Sequence, residues 1–199
     1  MAVGVLEPQR APRLRRHRSG SEHSGRDGPL DPKTGRIVPG LPAGSPDAKP
    51  RYAVAASTVD IAGRRIARNG ILSLYRVQPP LRLASLTSGV TPDGWSGATA
   101  SYTRYVVPKS ATFLDVFVHR HGIAGPPPAN VRVMIGPLAG RSWKTESATV
   151  RNGGGHLFKL PVRRGPFAVR LSATPTFSPS QFGSPDTRQL GVRVAFSLR

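Results

Sequence analysis

From residue 51 onward the chain alternates apolar and polar positions with a period of two, broken by turn residues about every 8–12 positions. Residues 52–59 and 61–67 read as strands, the second bending at Gly63. Asn69-Gly70 is a strong turn signal and launches 71–77, with Ile71, Ser73, Tyr75 and Val77 on one face. Pro79-Pro80 interrupts the run, and 81–86 resumes it in an edge position, because proline has no ladder donor. Residues 100–107 form the most aromatic strand. In 111–120, Leu114, Val116 and Val118 share one face and Phe113 and Phe117 the other, the pattern of a central strand covered on both sides. Val131, Val133 and Ile135 mark a half-buried strand, and 138–154 is less regular, with Trp143 near a short strand. Strands over 156–162 and 166–173 flank the Arg163-Arg164-Gly165 turn. After a long loop over 174–188, residues 189–198 alternate again, with Leu190, Val192, Val194 and Phe196 inward. No window of helical length shows a period of 3.6. The expectation is an all-β domain over 51–199, a two-sheet antiparallel β-sandwich of jelly-roll-like form.

Residues 1–50 differ. A basic cluster over 10–18 is followed by prolines at 29, 32, 39, 42, 46 and 50. Such a stretch buries too little apolar surface to offset its ordering entropy, so a disordered tail is expected. A nucleic-acid arm, a floppy extension and a misplaced start codon are all compatible with it. The chain contains no run approaching the ~18 apolar residues of a membrane helix. Its opening MAVGVLEPQR does not read as a signal peptide, since Glu7 and Pro8 interrupt the apolar region.

Composition sharpens this reading. Glycine (22) and proline (21) are abundant enough to serve many turns. The absence of cysteine removes disulfides, a thiolate nucleophile and a cysteine metal site. The net charge is +19, and the part from residue 51 holds 20 Lys+Arg against 5 Asp+Glu. A field of that sign suits an anionic polymer, a nucleic acid or an anionic membrane surface, although the arginines are scattered and also fit a solvated basic surface. No base-reading motif is present, so no specific nucleic acid is expected.

Catalytic groups are sparse. The acids of 51–199 are Asp60, Asp93, Asp115, Glu146 and Asp186. A glycosidase would need two of them across one cleft, which only the loop residues Asp93 and Asp186 could supply. Asp115, between Phe113 and Phe117, reads as a structural partner for an arginine. His119 and His121 have chelating spacing but no third ligand nearby. There is no nucleophile elbow, and the glycines at 153–155 precede a strand and lack a P-loop lysine. No enzyme, metal or cofactor is expected from this chain alone.

The remaining signal is the loop–strand unit over 89–107. Trp95, Tyr102 and Tyr105 lie within eleven residues of one another, beside Asp93 and Arg104. An aromatic platform suits the apolar face of a sugar ring, and a carboxylate or guanidinium suits its hydroxyls. These five residues are therefore the expected ligand-binding set. The same rings also fit a core-filling role, and aromatic plus arginine residues can stack single-stranded bases. Pro92-Asp93-Gly94 forms a tight turn in which glycine takes positive φ. Asp186 is placed to accept backbone N–H bonds two residues on, and Arg188 to pair with Asp186 or Asp93; such bonds would lock the loops.

Five segments in order carry a resemblance: 80–83 (PLRL), 89–96 (GVTPDGWS), 102–105 (YTRY), 175–179 (PTFSP) and 186–191 (DTRQLG). Together, across 65–199, they resemble the C-terminal extracytoplasmic β-rich domain of large actinobacterial multi-pass membrane proteins of glycosyltransferase type. The resemblance implies a non-catalytic accessory module, located in the extracytoplasmic cell envelope and contacting envelope glycan. The chain departs from that pattern because membrane helices are missing before the domain and 1–50 matches nothing in it. It is thus expected to be a severed C-terminal domain or a free-standing relative. The alternative is a basic module for nucleic acid or an anionic lipid surface.

Overall fold

The computed structural model describes residues 33–35, 51–122 and 125–199. The tail expected over 1–50 lies outside the described residues except for 33–35. The described residues hold twelve strands and one 3-10 helix, Pro179–Phe182, with no α-helix. No helix among them is long and apolar enough to cross a membrane.

The chain divides after Leu83 into two compact units, whereas a single domain over 51–199 was expected. The first unit contains β1 (Tyr52–Ala56), β2 (Val59–Ile61), β3 (Gly63–Asn69) and β4 (Leu72–Val77). Its antiparallel sheet runs in the order β1-β4-β3. Alternation along β4 buries Ser73, Tyr75 and Val77, and the Tyr75 hydroxyl donates to Asp60 at 2.5 Å. The irregularity in β3 falls between Arg65 and Ala67. The expected bend lay two residues earlier, at Gly63.

The second unit is the two-sheet antiparallel β-sandwich. Its strands are β5 (Leu83–Val90), which starts at the boundary, β6 (Ser96–Arg104), β7 (Phe113–His119), β8 (Ala129–Pro137), β9 (Lys144–Val150), β10 (Gly155–Pro161), β11 (Phe167–Thr174) and β12 (Arg193–Leu198). One sheet places them in the order β5-β6-β11-β8-β9, the other β10-β7-β12. The chain crosses between sheets at β6–β7, β7–β8, β9–β10, β10–β11 and β11–β12, which makes the form jelly-roll-like. The core lies between the sheets. Leu114, Val116, Val118, Phe158 and Leu160 face Val131, Val133, Val169 and Leu171, all nearly inaccessible. Each such side chain removed from water stabilises the fold by roughly 1.5–3 kcal/mol.

The two sheets differ on their outer faces. The larger sheet shows water a polar row: Arg132 pairs with Ser147 and with Ser172, and Asn130 with Thr149. Thr149 Oγ1 donates to Asn130 Oδ1 at 2.9 Å. The smaller sheet leaves Phe113 and Phe117 each 46% exposed. The strand expected to be covered on both sides is therefore covered on one. β7 is the middle of three strands among the described residues, and its outer-face phenylalanines stay half exposed. On that face Asp115 pairs with Arg199, Oδ2 to Nε 2.9 Å, the arginine partner its place between two phenylalanines suggested.

Candidate functional site

The five expected ligand-binding residues all lie in the second unit, and the structure gives them other work. β6 starts at Ser96, earlier than expected, so Trp95 enters the fold at the strand's edge. Thr91 N–H donates to Trp95 O at 2.8 Å, and Ser96 N–H to Val192 O at 2.9 Å. Trp95 also bridges to Arg193. Bonded on both sides, the indole turns inward and packs edge-on to Phe177, with centroids 6.2 Å apart. His121 tilts against it at 5.9 Å. The side chain is 8% exposed. Tyr102 is buried as well, stacked on Phe196 at 4.7 Å, and so is Tyr105. The open platform expected of Trp95, Tyr102 and Tyr105 is thus core packing: none of the three rings offers a free face. Arg104 donates from Nε to Val106 O at 2.6 Å, holding the end of its own strand.

Asp93 is exposed but engaged. Its turn closes by Gly94 N–H to Thr91 O at 2.9 Å, with Gly94 at φ 89°, a conformation that side chains with a Cβ rarely adopt. Thr91 Oγ1 donates to Asp93 Oδ1 at 2.5 Å. Arg188 then grips two carboxylates. Its Nη1 and Nη2 reach Asp93 at 3.2 and 2.9 Å, and its Nη2 and Nε reach Asp186 at 2.7 and 3.0 Å. Asp186 also accepts the Arg188 backbone N–H at 3.0 Å, the local lock expected from the sequence. Hydrogen bonds from Arg188, then from Thr91, hold the Asp93 carboxyl down at about 2, and Arg188 lowers that of Asp186. A glycosidase acid requires the opposite, a carboxyl raised toward neutrality. Asp93, Arg188 and Asp186 therefore form a clamp between two loops, with both carboxylates bonded to one guanidinium.

A second clamp is internal. Arg120 is fully buried, and among the described residues it has no carboxylate partner. It donates to Gly191 O at 2.5 Å and to Pro127 O at 3.2 Å, and its guanidinium sits 4.5 Å over Phe177. Burial lowers its pKa. Carbonyl oxygens and an aromatic face replace part of the water this cation has lost. Among the described residues no group of three metal-ligating side chains occurs.

An open concave site lies elsewhere in the second unit, where the β8–β9 and β10–β11 connections meet. Leu138 N–H donates to Pro166 O at 3.1 Å and ties the two loops together. Between them is a cleft of about 490 Å³, within the usual range of ligand sites. Ile135, Phe167, Pro137, Pro161, Pro166 and Trp143 line it. Arg163, Arg164 and Lys144 line it too, and all three are exposed. Among the described residues no carboxylate lines it. Lys144 is engaged by Glu146 at 2.9 Å, an exposed pair of small energetic weight.

Trp143 is half-buried and fixed in place. The Arg170 guanidinium lies 4.7 Å from the ring centroid. Gly136 supports the indole closely: a Cβ there would come within 2.7 Å of Trp143 Cδ2. In sequence Trp143 stands only near a short strand, because 138–154 lacks strand alternation. The available signal was a tryptophan in a glycine- and proline-flanked loop, and a second loop, Arg163-Arg164-Gly165, read only as a turn. That the two loops are neighbours follows from β11 pairing with β8, a contact remote in sequence.

No family model matches the chain, and no curated protein matches it. Among solved structures it is similar to a Xyl-CBM35 in complex with a glucuronic acid containing disaccharide. That match has 11% identity, covers 73% of this chain and 91% of the other, and has a TM-score of 0.35. A likeness at this level bears on neither ligand nor site.

Proposed function

We propose that this chain is a non-catalytic accessory module that binds an acidic glycan in the cleft beside Trp143. The observation that carries the reading is the composition of the cleft: an indole and three prolines for the apolar face of a sugar ring, and Arg163 and Arg164 for a carboxylate. Guanidinium matches carboxylate in two-pronged fashion, which makes arginine the suitable cation for a uronic acid. The five segments that resemble the C-terminal domain of actinobacterial membrane proteins of glycosyltransferase type support an extracytoplasmic setting. There the module would hold envelope glycan for a membrane enzyme.

The test is calorimetric titration with an oligouronate and a neutral oligosaccharide of equal length. The oligouronate should bind and the neutral sugar much less, with affinity falling as salt rises. R163Q/R164Q should weaken oligouronate binding about 10- to 100-fold, since a charge-assisted hydrogen bond is worth about 1.5–3 kcal/mol. Equal binding of the two sugars, or an unchanged double variant, would remove the assignment.

A further inference from the structure

The first unit carries a surface that glycan binding leaves unused. β3 is an edge strand, and every residue of it is exposed. It joins β4 through Asn69-Gly70, with Gly70 at φ 55°, and Arg68 Nε donates to Gly70 O at 3.4 Å across the turn. Around this turn three large apolar side chains face water: Ile66 at 42%, Ile71 at 54% and Leu72 at 48% exposure. The register shift between Arg65 and Ala67 leaves Ile66 outside the regular ladder. Arg68 lies beside the turn, while Arg65, Arg64 and Arg76 lie further back along the hairpin, Arg64 directly opposite Arg76. From residue 61 to residue 92 the sequence has five arginines and no acid. None of the four hairpin arginines forms a salt bridge among the described residues.

We infer that the β3–β4 hairpin docks on an anionic lipid bilayer, its Ile66, Ile71 and Leu72 tip entering the interface and its arginines meeting headgroup phosphates. Like charges directly opposite on neighbouring strands repel, and an anion between Arg64 and Arg76 relieves that repulsion. Arginine on an edge strand also guards against unwanted strand pairing, but guarding does not call for an apolar tip. The two features together match the bilayer interface, where apolar side chains reach the acyl boundary and basic ones stay at headgroup level. Nucleic acid would satisfy the arginines and leave the tip in water. A second copy of the chain would bring the same positive edge against itself.

The experiment is co-sedimentation of the full chain with phosphatidylcholine vesicles, with and without about one third phosphatidylglycerol. Binding is expected only with phosphatidylglycerol, and I71S/L72S and R64Q/R76Q should each lower the partition coefficient about tenfold. R132Q/R141Q removes the same charge from the second unit and should change it less than twofold. All three pairs lie on exposed positions, and circular dichroism checks that each variant keeps its sheet signal. The inference is overturned if I71S/L72S binds like the parent, if R132Q/R141Q falls as far as R64Q/R76Q, or if double-stranded DNA displaces the chain from vesicles through the same residues. Oligouronate binding by the hairpin variants is measured in parallel; it should be unchanged, so this inference and the cleft reading can fail separately.

Discussion

The two tryptophans of this chain occupy loops that look alike in sequence and are opposite in structure. Each follows glycine and proline. Trp95 is bonded to Thr91 and bridges to Arg193, its neighbour Ser96 is bonded to Val192, and its ring is sealed against Phe177 and His121. Trp143 precedes β9, rests on Gly136 and borders a cleft. Whether an aromatic loop residue becomes core or contact surface depends on what returns to cover it. Trp95 is covered by 177–193, which comes back from the far end of the chain. Among the described residues Trp143 stays half-buried at the edge of its cleft.

This contrast can be broken by removing each ring in turn. W95A should lose about 3–5 kcal/mol of stability, the usual result of emptying a buried aromatic site. W143A should lose roughly 1 kcal/mol, mainly the Arg170 contact and partial burial, while losing oligouronate affinity. Urea denaturation followed by circular dichroism measures both. Equal destabilisation by the two variants would erase the distinction.

A smaller effect concerns the clamp beside Trp95. The Asp93 carboxyl is held at about 2, below the ordinary 3.8 of an unfolded chain, and that of Asp186 is also lowered. Carboxylates depressed in the folded state contribute stability above the unfolded value and lose it as pH falls through the folded one. The clamp should therefore be intact above about pH 4 and released as pH falls toward 2. Trp95 fluorescence should report that transition, weakly, because the groups are exposed and screened by salt. In R188M the transition should be absent, the two loops having already separated at neutral pH. A transition unchanged in R188M would assign it to other carboxylates.

The strands were legible because alternation with period two is a local property, and Leu114, Val116 and Val118 show it without any partner. The tight turn at Pro92-Asp93-Gly94 and the Asp186–Arg188 bond were legible for the same reason, each being settled within a few residues. The exposure of Phe113 and Phe117 was not, because an apolar residue on a strand carries no mark of whether a third layer covers it. The burial of Trp95 was hidden too, since Phe177 and Val192 lie more than eighty residues away. The division after Leu83 was hidden because strand alternation continues through it. The cleft escaped notice because its two loops are brought together only by β8 and β11 pairing. The residues of the proposed site are brought together by long-range pairing, which leaves the least trace in local pattern.

The most direct measurement is a nitrogen-edited NMR titration of the labelled chain with an oligouronate, since the chain's two tryptophans give two indole Nε1–H signals. The Trp143 signal, identified by its loss in W143A, should move and saturate, while the Trp95 signal stays in place. Movement of Trp95 with Trp143 unmoved would contradict the account.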